Sequence, residues 1–91
     1  MKVTLYGSHM CPDALYAIVT LKGLGVELTF KDISGAMPIL KEFLAIRDGN
    51  PMFDGVREKK GVGIPLFILE DGTMTLDSAA VIEMAKAAAK A

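Results

Sequence analysis

The sequence predicts an α/β fold: a four-stranded mixed sheet flanked by helices, in a single domain spanning residues 1–91. Three observations lead there. Short β-rich runs stand near the start of the chain ("KVTLY", "VELTFKDI") and again in its second half ("LFILEDGTMTL"). Stretches with helical apolar spacing lie between and after them, and glycine- or proline-rich breakers separate the two kinds.

Each element has a local cause. In "KVTLY", Val3 and Leu5 share a face, and Gly7 ends the run. From Pro12 to Lys22 the spacing turns helical and predicts an inward stripe of Leu15, Ile18 and Val19, closed by the stem of Lys22. Gly23 and Gly25 stop that helix. Next, "VELTFKDI" alternates Val26, Leu28 and Phe30 against Glu27, Thr29 and Lys31. A second helix is expected from about Pro38 to Arg47, with Leu40, Phe43 and Leu44 inward. Asn50-Pro51 reads as an N-cap and first helical residue, opening a short third helix through Val56. "LFILEDGTMTL" supplies two strands, and its Asp71-Gly72 predicts a two-residue hairpin turn. Asp77 or Ser78 then caps a last helix running through Val81, Ile82, Met84 and Ala85. A βαβ crossover followed by a hairpin and a closing helix makes one mixed sheet, the element order of the thioredoxin-like fold.

Composition narrows the function classes. Hydrophobic residues make up 52% of the chain and charged residues 23%, the profile of a packed domain rather than a disordered one. The formal net charge is -1 with both signs interspersed, so no nucleic-acid partner is expected. No apolar run approaches the ~20 residues that cross a bilayer, and no signal-peptide pattern opens the chain; a membrane role is not expected either. The single cysteine, Cys11, excludes an internal disulfide, and a monomer in a reducing cytoplasm is the expected setting.

Cys11 is the first candidate for chemistry. It stands between a strand and a helix, directly before a proline whose fixed φ suits the first helical position, so it falls at the N-cap. There its sulfur is expected to face the free N–H groups of Asp13 and Ala14, which together with the helix dipole favour thiolate over thiol. The Asp13 carboxylate opposes that effect. His9 lies two residues earlier and is expected to point into solvent rather than activate the thiol. Cys11 and His9 are too few to ligate a metal, and no metal site is expected.

With these residues in place, "LYGSHMCPDA", "GIPLFILEDG" and the element order resemble the glutaredoxins, in particular small bacterial glutaredoxin-related proteins with a Cys-Pro-Asp-Cys site. The resemblance covers nearly the whole chain. It implies a glutathione-dependent thiol–disulfide oxidoreductase with Cys11 as the nucleophile and glutathione as co-substrate. It further implies a glutathione platform of Cys11 and Pro12, a cis peptide at Ile64-Pro65 facing the cysteine, and Asp77-Ser78 at the start of the last helix. An extended peptide could pair with the backbone edge before that proline. Ala14 stands where the resembled site has its second cysteine, which leaves the one-cysteine (monothiol) route: reduction of glutathionyl mixed disulfides.

Two other differences motivate a second reading. Gly7-Ser8 stands where glutaredoxins often carry a lysine, and Thr75-Leu76-Asp77-Ser78 where they have a Gly-Gly turn. The alternative is a non-catalytic module that docks glutathione or a peptide. An iron–sulfur carrier, built from two chains and two glutathiones, is a lesser third. Arg47, Lys59 and Lys60 are candidates to meet a glutathione carboxylate, with a solvated charged surface the plainer expectation.

Overall fold

The computed structural model describes residues 1–90. It contains a strand β1 (Lys2–Gly7), helix α1 (Pro12–Gly23), β2 (Glu27–Asp32), α2 (Met37–Gly49), a 3₁₀ turn (Pro51–Phe53), α3 (Asp54–Glu58), β3 (Leu66–Leu69), β4 (Met74–Thr75) and α4 (Ser78–Lys90). The four strands form one open mixed sheet in the order β2-β1-β3-β4. β1 runs parallel to β2, with Lys2 opposite Glu27 and Gly7 opposite Asp32. It runs antiparallel to β3, with Tyr6 opposite Leu66, and β3 runs antiparallel to β4.

β1 is central, and both of its faces are covered. Val3 and Leu5 point into a core shared with Ala17 and Leu21 of α1, Phe67 of β3, and Val81 and Ala85 of α4. Tyr6 points the other way, into a second core with Ile33, Phe43, Phe53 and Leu66. There Phe43 stacks edge-on against Phe53 with ring centroids 6.2 Å apart. The alternation read from "KVTLY" therefore serves two layers of helices, one on each face.

Most elements stand where the sequence placed them, and Phe43 faces inward as predicted, with Leu40 and Leu44 half-buried beside it. Asn50 is an N-cap: its Oδ1 accepts the Met52 N–H at 3.0 Å. The helix it was expected to open is instead a 3₁₀ turn followed by α3, which continues to Glu58.

The predicted face of α1 is overturned. Leu15 and Val19 are exposed, Val19 by 73%, and Lys22 is exposed as well. The buried residues are Ala14, Ala17 and Leu21, with Ile18 packed at the margin. The reason is distance. A Cβ placed on Gly7 would lie 2.9 Å from the Ala14 Cβ and 2.9 Å from Leu5 Cδ2. The helix start lies directly on the end of β1, and only small residues fit between them.

The hairpin differs in loop length. Leu69 N–H donates to Thr73 C=O and Gly72 N–H donates to Leu69 C=O, both at 2.9 Å. The loop is thus three residues, Glu70-Asp71-Gly72, with Gly72 at φ +87. A three-residue loop closed by a left-handed glycine is the next commonest hairpin after the two-residue form. The Asp71 carboxylate accepts the Thr73 N–H, which favours that longer turn.

Gly7→Ala is expected to cost about 1–3 kcal/mol by overpacking, read from a denaturant midpoint. Adding Ala14→Gly should recover part of that loss beyond its own helix penalty. Strictly additive losses would show that the two positions do not press on each other.

Candidate functional site

The topology gathers four chain segments at one edge of the sheet. The parallel strands β1 and β2 both end there, at Gly7 and Asp32. β3 begins there, since Leu66 pairs with Tyr6, and β4 ends there, since Thr75 pairs with Phe67. The edge therefore carries the loop Ser8–Cys11, the loop after Asp32, Ile64-Pro65, and the start of α4. All the predicted site residues lie on these segments or on the first turn of α1.

Cys11 is the N-cap residue of α1, with extended backbone (φ -103, ψ 111) and Pro12 in the first helical turn. Its C=O accepts the Leu15 N–H at 3.1 Å, and its N–H donates to Ser8 C=O at 3.0 Å. The expectation for the sulfur is corrected: no side-chain hydrogen bond caps the helix. The thiol is half-buried and packs against the first core instead. A soft, weakly hydrogen-bonding sulfur gains more from apolar contact here than from turning to the N–H groups.

The loop before Cys11 is tied down by polar contacts that the sequence reading missed. His9 does face solvent, with its side chain 59% exposed, yet its Nδ1 lies 2.7 Å from Asp32 Oδ2. The Ser8 and Ser34 hydroxyls lie 2.5 Å apart, and Ser8 is buried. Ser8 Oγ also accepts the Met10 N–H at 3.0 Å, while Asp32 Oδ1 accepts the Ser34 N–H at 2.9 Å. Burial works to raise the Asp32 carboxyl. The hydrogen bonds from His9 and Ser34, with the His9 charge, outweigh it and hold the group below the ordinary carboxylate value. Two signals could have found this pair: Asp-x-Ser-Gly is turn-forming chemistry, and parallel pairing sets the ends of β1 and β2 side by side.

Ile64-Pro65 is a cis peptide bond, as the resemblance implies. Pro65 is buried and Ile64 half-buried. Among the described residues neither the N–H nor the C=O of Ile64 makes a backbone hydrogen bond. Asp77 precedes α4 and caps it: its Oδ1 accepts the Ala80 N–H at 3.1 Å, and its own N–H donates to Thr75 Oγ1. Ser78 is the first residue of the helix. Between α1 and α4 runs an open groove of ≈ 600 Å³ whose lining includes Tyr16, Ile64, Pro65, Leu76, Ser78 and Ile82 but not Cys11, Pro12 or Asp77.

Arg47 is not part of this edge. Its Nη2 donates to Gly61 C=O at 2.8 Å and its Nη1 pairs with Asp48 at 3.1 Å. Arg57 holds the same inserted stretch from the other side, through the Arg47 and Asn50 carbonyls and Asp54. Both arginines brace the chain between α2 and β3. Lys59 and Lys60 are exposed. Among the described residues no group of three or more His, Cys, Asp and Glu side chains could hold a metal ion, and no helix is long and apolar enough to cross a membrane.

The Asp32 environment gives a pH signature. A carboxyl whose folded value lies below its unfolded one adds stability above the unfolded value, and that contribution fades as pH falls through the folded value. Asp32→Asn should therefore destabilise the protein near neutrality. The gap to wild type, followed by denaturation midpoints, should narrow as pH drops below about 4. A gap that stays constant through that range would exclude the carboxylate charge as its source.

No family model matches the chain, and no solved structure matches it. A protein of Haemophilus influenzae described as uncharacterized is 33% identical to it over 76 residues, which cover 84% of this chain and 88% of the relative. At that identity and coverage, the chain belongs to the same family as this Haemophilus influenzae protein.

Proposed function

We propose that this protein is a single-cysteine thiol–disulfide oxidoreductase of the glutaredoxin type, built on a thioredoxin-like fold and using glutathione as co-substrate. One observation carries the reading. A half-buried cysteine at a helix N-cap stands on the same sheet edge as the cis Ile64-Pro65 peptide and the start of α4. A reducing cytoplasm, in which a lone thiol stays reduced, belongs to this reading, as does a monomer.

The chemistry follows from the residues. The Cys11 thiolate attacks the glutathionyl sulfur of a mixed disulfide; that S–S bond breaks, and the departing substrate thiolate takes a proton from solvent. Cys11 is left bonded to glutathione. The thiolate of a second glutathione attacks the same glutathionyl sulfur, releasing glutathione disulfide and restoring the Cys11 thiolate. The substrate sulfur is reduced from disulfide to thiol and the incoming glutathione thiol is oxidised into the new disulfide, while the transferred glutathionyl sulfur keeps its oxidation level. Ala14, fully buried against the first core, supplies no thiol to intercept the intermediate.

The binding roles are equally local. The unpaired backbone of Ile64 can take the cysteinyl part of glutathione as a short added strand. The N–H groups at the start of α4 suit the γ-glutamyl carboxylate, and the outer oxygen of Asp77 suits its amine. Pro12 fixes the helix start beside the reacting sulfur.

A second reading is favoured by the missing capping hydrogen bond on Cys11. Without it, the site could hold a glutathionyl group and not turn it over. Glutathione-dependent reduction of a small glutathionyl disulfide separates the two, with intact mass taken before and after. Wild type should turn over and Cys11→Ser should lose all measurable activity. Full activity in Cys11→Ser would remove the assignment, and a stable adduct on wild-type Cys11 without turnover would select the docking module.

A further inference from the structure

We propose that the groove between α1 and α4 selects the polypeptide half of a mixed disulfide: an extended segment with a bulky apolar side chain and a lysine or arginine beside its cysteine. This deepens the function proposed above and rests on it for the chemistry at Cys11.

Glutathione bound through the Ile64 backbone and the start of α4 leaves part of this groove unmatched. Its lining is about half apolar, through Tyr16, Ile64, Pro65, Leu76 and Ile82, and glutathione has no apolar side chain to cover that half. Glutathione carries two carboxylates. The start of α4 can receive one, but no lysine or arginine lines the groove for the other. Arg47, one of the sequence candidates, is committed to Gly61 and Asp48.

The charged groups that do line it are Asp13 and Glu83. Asp13 lies two residues after Cys11, in the first turn of α1, and has no ion-pair partner among the described residues. Glu83 meets Lys86 one turn along α4 at 3.2 Å, an exposed pair open to exchange. Asp77 lies outside the lining and caps α4 instead. Carboxylates beside these apolar side chains complement a cationic, apolar peptide. Tyr16 in the lining is 65% exposed, and Met10, the residue before Cys11, is 73% exposed, so apolar side chains are open to a polypeptide here.

The test separates binding from reaction. Short peptides with serine in place of their cysteine are titrated into ¹⁵N-labelled protein, in three forms: Lys-flanked with a leucine, Glu-flanked with the same leucine, and Lys-flanked without it. Reduced glutathione is the fourth ligand. The Lys-and-leucine peptide should bind at least about five-fold tighter than either other peptide at low salt, with shifts at Tyr16 and Ile82. Raising salt to ~0.5 M should shrink the charge preference. So should Asp13→Asn combined with Glu83→Gln, whose spectra also report whether the variant is folded.

Absence of peptide binding, equal affinities, shifts away from the groove, or a preference untouched by the double variant would each overturn the proposal. Glutathione binding Tyr16 and Ile82 as tightly as the best peptide would do so too. The same peptides carrying glutathionylated cysteine then report the reaction. Charge-selective binding without glutathione release removes the oxidoreductase reading alone, and release indifferent to charge removes the groove proposal alone.

Discussion

The contact on which the site depends is the meeting of Gly7 with Ala14. A strand that ends in glycine lets the first turn of α1 lie against it at a separation where even one added methyl group would collide. That closeness leaves four residues, Ser8 to Cys11, to turn the chain from strand to helix. It fixes Cys11 at the helix start, and it explains why the cysteine can be half-buried while its neighbour His9 stays outside. A larger residue at either position would lift the helix off the sheet and carry the thiol with it.

Stability and positioning have different sources here. The two cores hold Phe43, Phe53, Phe67, Leu5, Leu21, Leu66 and Val81 with almost no exposure, and each fully buried side chain of this size is worth about 1.5–3 kcal/mol in transfer. The ion pairs lie mostly at the surface, where such pairs contribute about 0–1 kcal/mol. They matter for where segments sit. Lys31 illustrates this: it lies over the Tyr6 ring and meets Glu42 at 2.6 Å, linking β2 to α2 above the second core. The hydrogen bonds from Lys31 and then Tyr6 hold the Glu42 carboxyl below its ordinary value. At the site edge, His9–Asp32 and Ser8–Ser34 tie the cysteine loop to the loop after β2 in the same way.

How much was legible in the sequence follows from the range of each cause. Asn50 capping the following turn, Val3 and Leu5 on one face, and Phe43 inward are settled by a few neighbouring residues, and each was readable. So were Cys11 at the start of α1 and Asp77-Ser78 at the start of α4. The face of α1 was not. Periodicity favours the face with the larger apolar residues, Leu15 and Val19, while the observed packing selects Ala14 and Ala17 because the sheet is so near. The alignment of His9 with Asp32 needs the β1–β2 register, which no local pattern encodes. The three-residue hairpin was narrowly missed. Asp-Gly marks the turn, but the extra bond from Asp71 to Thr73 decides its length.

The misread helix face links packing to presentation. A helix has one circumference, so turning the alanines inward obliges Leu15, Tyr16 and Val19 to face outward. Leaving such side chains in water forgoes burial that a looser fold could have had. The close seat on Gly7 sets that exposure, and it also sets Asp13 and Tyr16 in the lining of the groove that Pro65 shares. The thiol, the carboxylate and the aromatic ring then belong to one rigid turn whose position is fixed by a steric contact beneath it. On the proposed reading, a ligand bonded at Cys11 and seated in the groove would be selected by side chains whose placement these same small residues set.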